Sequence, residues 1–135
     1  MELMMVVGVI GVLCAIATPK IIKWLPGHRV GSAAEEVMSA LDFARINAIK
    51  TNNDVTVNFD FTNASLTVVD SGGTTLRTRR MPGDVDLANM GLGDRVIFNG
   101  HGFSNRAGRV TVQNTKNATL FRSINLTIGG NASIQ

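Results

Sequence analysis

A chain of 135 residues suggests one compact domain plus a leading helix rather than two domains. Its formal net charge is +3, and residues 54–135, with eight Lys/Arg against six Asp, carry only +2. That balance lacks the concentrated basic face of a typical nucleic-acid binder, and a single cysteine, Cys14, excludes an intrachain disulfide.

Residues 3–18 form a run of sixteen without a charge. As a helix the run reaches roughly 24 Å at about 1.5 Å per residue, against a hydrocarbon core of about 30 Å. Met1, Ile21, Ile22 and the interfacial candidate Trp24 bring it within reach of a span. Attached to a small soluble domain, the same run is an exposed apolar rod, so a membrane-resident helix is expected over residues 1–24. Cys14 inside it reads as a small packing residue; Leu13 just before it fills a place where lipid anchoring wants a small side chain. A cleavable secretory signal fits poorly, because Met1-Glu2 offers acid where a basic n-region is expected, although Ala15-Ile16-Ala17 resembles a cleavage site. Lys20, Lys23 and Arg29 follow the span, and the positive-inside rule places such residues in the cytoplasm.

Glu2 stands at the edge of the apolar run, where an ionisable group is expensive and usually has a specific partner. An interfacial glutamate facing water is the plainer alternative. Pro19 removes one helical hydrogen bond, so a kink or melted stretch is expected there, and Pro26-Gly27 marks a second weak point. Over residues 25–53 the pattern turns amphipathic. Val30, Ala34, Val37, Leu41, Ala44 and Ala48 recur at spacings of four and three, placing them on one helix face, with Met38, Arg45 and Ile49 along its border. Ser32-Ala33-Ala34-Glu35 matches a capping box, so either a new helix starts there or one kinked helix continues. Thr51-Asn52-Asn53-Asp54 ends the periodicity, because Asn and Asp favour turns.

Residues 54–135 read as a β-rich head. Val55, Val57, Phe59 and Phe61 alternate with polar residues at the period of a half-buried strand, and Leu66 and Val68 resume the alternation after a turn at Asn63-Ala64. Asp70-Ser71-Gly72-Gly73 predicts a hairpin connection into residues 74–80. Met81-Pro82-Gly83 and the loop around Asn89-Met90-Gly91 separate that strand from Arg95-Val96-Ile97-Phe98. Val110 and Val112, then Phe121, Ile124, Leu126 and Ile128, then a short stretch ending at Ile134, complete five to seven antiparallel strands. The expected class is α+β, a long N-terminal helix packed on an antiparallel sheet.

Nothing local points to catalysis. His28 and His101 lack metal-ligand spacing, no nucleophile motif is present, and Gly100-His101-Gly102 lacks the strand–loop–helix setting of a phosphate cradle. No enzyme activity, cofactor or metal is expected. The sequons at Asn63, Asn117, Asn125 and Asn131 are expected by chance in a chain rich in Asn and Thr, and matter only in a glycosylating compartment.

Two stretches carry a resemblance. Met1-Glu2-Leu3-Met4-Met5-Val6-Val7, the apolar run and Pro19 resemble the N-terminal motif of prepilins, which normally reads Gly and then Phe-Thr-Leu-Ile-Glu-Leu. Leu41-Asp42-Phe43-Ala44-Arg45-Ile46-Asn47-Ala48-Ile49, followed by Val55-Thr56-Val57, is similar to the helix-to-strand signature of GspH/FimT-type minor pseudopilins, Leu-x-x-Ala-Arg-x-x-Ala-Ile. Arg80-Met81-Pro82-Gly83-Asp84-Val85 and Ile97-Phe98-Asn99-Gly100-His101-Gly102 match later family stretches. The resemblance implies a pilin-like subunit of the bacterial inner membrane, spanning once, with its head in the periplasm until it joins a pseudopilus. Its implied partners are other pseudopilins or pilins, an inner-membrane assembly platform, and a prepilin peptidase where a leader is present. The implied assembly residues are Glu2, Leu3, Val6, Val7, Val9, Ile10, Leu13 and Pro19, with Glu2 pairing to the N-terminal amine of a neighbour. Met1 stands where the family has Ile, and the leader, its glycine and the Phe-Thr-Leu are absent from the sequence as written. A start placed too far downstream or a trimmed record is the expected cause, and a short basic leader would also restore the charge balance around the span.

The implied function is a minor pseudopilin of type II secretion, with a minor pilin of a type IV pilus as the alternative. Some relatives take up DNA through a C-terminal Gly-Arg-x-Arg motif. Here Gly130-Asn131-Ala132-Ser133 has neither arginine, which makes nucleic acid an unexpected partner. Arg77 and Arg79, on one face of a strand while Arg80 points away, are the candidates for weak polyanion contact; a solvated strand is the alternative.

Overall fold

Alternation, turn chemistry and one long helical periodicity resolve into nine elements in a computed structural model. It describes the backbone of residues 2–135 and the side chains of residues 3–14 and 25–135. Helix α1 runs Glu2–Thr51, 50 residues or about 75 Å at 1.5 Å per residue. Of the two forms expected around Ser32, the continuous helix is the one observed. Of the two outcomes expected at Pro19, a kink or a melted stretch, the melted one is absent: the described backbone is helical there and through Pro26-Gly27.

The stripe at Val30, Ala34, Val37, Leu41, Ala44 and Ala48 is buried along its whole length, and Ala33 and Ala40 join it. Five alanines in the widened stripe keep the helix surface flat, which lets the sheets approach it closely. The helix ends for the reason the Asn-rich sequence suggests. Asn52 adopts φ +51°, the left-handed conformation that Asn tolerates. The amide of Asn53 then donates to the Ala48 carbonyl at 3.2 Å and that of Asn52 to Ile49 at 3.3 Å. This six-to-one and five-to-two pair of bonds is the Schellman closure.

Eight strands follow: β1 (Val55–Asp60), β2 (Ser65–Val69), β3 (Thr75–Arg80), β4 (Val85–Met90), β5 (Arg95–Phe98), β6 (Gly108–Asn114), β7 (Phe121–Leu126) and β8 (Ala132–Ile134). They form two four-stranded antiparallel sheets, ordered β3-β2-β1-β5 and β4-β6-β7-β8. Two sequence expectations are corrected here. The head contains two sheets instead of one, and the segment expected only to separate β3 from β5 contains an eighth strand, β4. Val85 and Leu87 point β4 into the core while Asp86 stays exposed, and β4 closes the edge of the second sheet against β6.

The other expected strands are present. Val55, Val57 and Phe59 are buried opposite Phe98, Val96 and Leu66, and Phe61 stacks on Phe59 at 5.8 Å just beyond the strand. The hairpin at residues 70–73 is held by Asp70, whose Oδ1 accepts from the amides of Gly72 and Thr74. Ile128 lies past the end of β7 and is exposed. Helix α1 contacts strands of both sheets, chiefly β1 of the first and β6, β7 and β8 of the second. Its alanine-rich stripe therefore closes one core shared by the helix and both sheets.

Candidate assembly interface

One helix serves two environments. From Val30 onward its apolar stripe is covered by the head. Before that, every described large apolar side chain is open. Leu3 is 78% exposed, Val6, Val7, Val9, Ile10 and Leu13 are more than half exposed, and Met4, Met5 and Val12 are equally bare. A helix apolar on all sides belongs in lipid or among other apolar helices. The six expected assembly residues from Leu3 to Leu13 thus sit on a bare apolar helix end. Met4, Met5 and Val12 share that exposure without being among the assembly residues that the resemblance implies. The side chains of Glu2 and Pro19 lie outside the described residues. Among the described residues no helix is long and apolar enough to cross a membrane.

Where stalk meets head, the polar contacts begin. Arg29 Nη1 and Asp84 Oδ2 form an ion pair at 3.0 Å, tying the helix to the loop before β4. That loop is fixed in turn by Asn114, whose Nδ2 donates to the Asp84 carbonyl at 3.0 Å. One and a half to two turns further along, Glu36 Oε1 meets Arg79 Nε at 2.8 Å. Arg77 lies over the Phe43 ring, 5.3 Å from its centroid, with Nη1 3.4 Å from Ser39 Oγ. Arg77 and Arg79 do share a face of β3, and it is the face turned towards α1. Both guanidinium groups are engaged with helix residues there.

The arginine of the Leu-x-x-Ala-Arg signature occupies a third junction. Arg45 Nη1 donates to Asn131 Oδ1 at 2.6 Å, while its Nε is buried without an acceptor among the described residues. Two turns from distant parts of the head close around this side chain. Gly102 (φ +80°) and Gly130 (φ +77°) both adopt left-handed backbone, and a Cβ on either would come within 3.3 Å of Arg45 Nε. The two turns also bond to each other, Ser104 donating its amide to the Ile128 carbonyl at 2.9 Å. The sequence shows Arg45 as a border residue of the stripe and as part of the signature, with no hint of its partners; the two glycines that make room for it lie 57 and 85 positions away.

Among the described residues no group of three or more His, Cys, Asp or Glu is placed to hold a metal ion.

A long helix, bare from Leu3 to Leu13 and sunk from Val30 to Ala48 into a two-sheet antiparallel head, defines a pilin-like α+β protein. Solved structures share this architecture. The type IV minor pilin FimU of Pseudomonas aeruginosa superposes with a TM-score of 0.69 at 15% identity, over 80% of this chain and 89% of that one. The minor pseudopilin EpsH from the Type 2 Secretion System of Vibrio cholerae gives 0.67 at 12% identity, over 79% and 96%. E. coli GspH gives 0.60 at 12% identity, over 81% and 89%. The family described as Type II transport protein GspH matches residues 33–131, and the chain belongs to it. Members of that family are pseudopilin and pilin subunits, which assemble with other pilin subunits into fibres. No curated protein matches the chain significantly.

Proposed function

We propose that this chain is a minor pseudopilin of a type II secretion system, built into a pseudopilus through its N-terminal helix to support protein export. The observation that carries this is the contrast along α1, with its stripe buried from Val30 to Ala48 and its end bare from Leu3 to Leu13. Before assembly the bare end resides in the bacterial inner membrane, spanning it once with the head in the periplasm. Leaving the bilayer is tolerable only when neighbouring helices cover it, at about 25 cal/mol per Å² of apolar surface. An inner-membrane assembly platform, and a prepilin peptidase for a precursor that carries a leader, are the further partners.

Glu2 has the role of a register pin. Its carboxylate pairs with the N-terminal amine of a neighbour inside the apolar bundle, where an unpaired charge costs several kcal/mol. Substituting Glu2→Ala leaves membrane insertion intact and lowers incorporation into fibres; normal copurification of that variant with partner pilins would count against the role.

A second reading is favoured by the superposition on a type IV minor pilin, namely that the fibre is a pilus. Disruption of the gene in its host separates the two. Lost export with surface pili intact supports the secretion pseudopilus, lost pili with export intact supports the pilus, and neither defect rejects both.

A further inference from the structure

The second sheet has an outward face, turned away from α1 and the shared core. Across β4, β6 and β7, Met90 pairs with Arg109, Thr111 with Ser123 and Gln113 with Phe121. Strand alternation puts these residues on the outward face, while Val110, Val112 and Ile124 fill the core behind them. They line a groove of about 470 Å³, which Ala118 of the β6–β7 loop also borders. Thr111 and Ser123 are only 6% and 7% exposed, although the solvent face of an antiparallel sheet ordinarily leaves such side chains open. Their hydroxyls meet at 3.3 Å. One O–H is used in that bond, so the other remains to be donated from the groove. Arg109 Nε donates to Asn125 Oδ1 at 2.9 Å, which fixes the guanidinium, and its terminal nitrogens have no acceptor among the described residues. Met90 and Phe121 are both more than half exposed.

We propose that this groove binds a short acidic oligosaccharide. A uronate carboxylate sits on the free fork of Arg109, sugar hydroxyls on the Thr111–Ser123 pair and Gln113, and a sugar face against the Phe121 ring. The chemistry of the lining selects this class. Arginine presents a planar fork that matches a carboxylate. A sugar ring is hydroxylated around its rim and apolar on its faces, and the groove sets hydroxyl, amide and guanidinium groups between a thioether and an aromatic wall. An extended peptide, by contrast, takes its main-chain bonds at a sheet edge, and this groove lies on a sheet face. Charge also gives the ligand a direction. Asp86 pairs with Gln113 and shares its face, so it stands beside the end of the groove remote from Arg109, about 13.6 Å away along the strand. A carboxylate is repelled there and drawn to Arg109. The site is remote from the helix that joins subunits, so a head holding such a glycan has an attachment independent of its stalk.

The experiment uses the full chain, held in a detergent without a sugar head group and carrying isotope-labelled methionine methyls. It is titrated at low salt with a β-linked glucuronate trisaccharide and with its neutral counterpart, cellotriose. The Met90 methyl resonance is expected to move, while those of Met38 and Met81, which do not line the groove, stay in place. The acidic sugar binds about tenfold or more tightly than the neutral one, the size of one charge-assisted fork. Arg109→Gln removes that preference, and Phe121→Ala weakens both sugars by roughly two- to tenfold, each with the thermal transition of the head retained. Arg95 is the matched control: its Nε also donates to an asparagine, Asn58 Oδ1 at 3.3 Å, but on the first sheet and outside the groove, so Arg95→Gln changes neither affinity. A Met90 methyl unmoved by either sugar overturns the site without any variant. So does an acid preference that survives Arg109→Gln or falls equally with Arg95→Gln. Tighter binding of an acidic tripeptide through the same Arg109 overturns the sugar as its ligand. The fibre role stands or falls separately, on the gene disruption.

Discussion

Arg45 and Asn131, 86 residues apart in the chain, meet at 2.6 Å across the junction where the helix passes the two closing turns of the head. Asn131 follows Gly130 directly, so the turn that makes room for the arginine also supplies its acceptor. Replacing Arg45 by Ala therefore removes a charge-assisted bond and leaves a gap between two turns. The expected loss is about 1.5–3 kcal/mol of unfolding free energy, measured by denaturant titration of the detergent-held chain. Gly130→Ala acts on the same place from the other side. It has to exceed the roughly 1–2 kcal/mol that left-handed backbone alone costs a residue with a Cβ, because that Cβ would collide with the Gly102 carbonyl oxygen.

Leu41 and Leu13 belong to one helix and one residue type, yet their substitutions should separate stability from assembly. Leu41 is fully buried, so Leu41→Ala lowers head stability by about 2–5 kcal/mol. Leu13 is 60% exposed; Leu13→Ala leaves the thermal transition of the head in place and reduces recovery with partner pilins. Equal effects of both on the transition would contradict the contrast between the bare end of α1 and its covered stripe.

Asp60 gives the head a defined acid limb. Hydrogen bonds from the Asn63 side chain, then from the backbone of Asn63 and Thr62, hold its carboxyl below the ordinary 3.8. A group whose folded value lies below its unfolded one contributes stability above the unfolded value and loses it as pH falls through the folded value. Asp60→Ala should thus lower the melting temperature at neutral pH, and the gap to the parent should close below about pH 3.8. A gap that stays constant down to strongly acidic pH would remove this assignment.

The Glu36–Arg79 pair is half exposed on both sides, which limits its coupling to about 0.2–1 kcal/mol in a double-mutant cycle with Glu36→Gln and Arg79→Ala, weakening with salt. With Arg77 and Arg79 both turned to the helix, Arg77→Ala/Arg79→Ala is expected to leave any DNA mobility shift unchanged. A salt-dependent shift abolished by the double variant would establish polyanion contact through this strand.

The helix stripe, the first hairpins and the helix stop were legible because each rests on local chemistry: periodicity, Asp-Ser-Gly-Gly and Asn-Asn. Strand β4 was not. It shows only Val85 and Leu87 between the turn signals of Pro82-Gly83 and Gly91, and as a sheet edge it needs just those two to face inward. The division into two sheets depends on β1 choosing β5 across some forty residues, a choice that alternation within either strand does not encode. Glu2 and the apolar run drew attention through composition, whereas the junction at Arg45 is built from single residues brought together by the completed fold.

The lack of any helical break between the bare end and the covered stripe also governs how the protein answers traction. A pull on the stalk is transmitted along the backbone of α1 directly into the shared core. There it strains the alanine contacts, the Arg29–Asp84 pair and the Glu36–Arg79 pair in parallel, as shear. Peeling one contact at a time would need a hinge that the helix does not have, so the head resists being dragged from its handle far better than the modest strength of any one tie suggests.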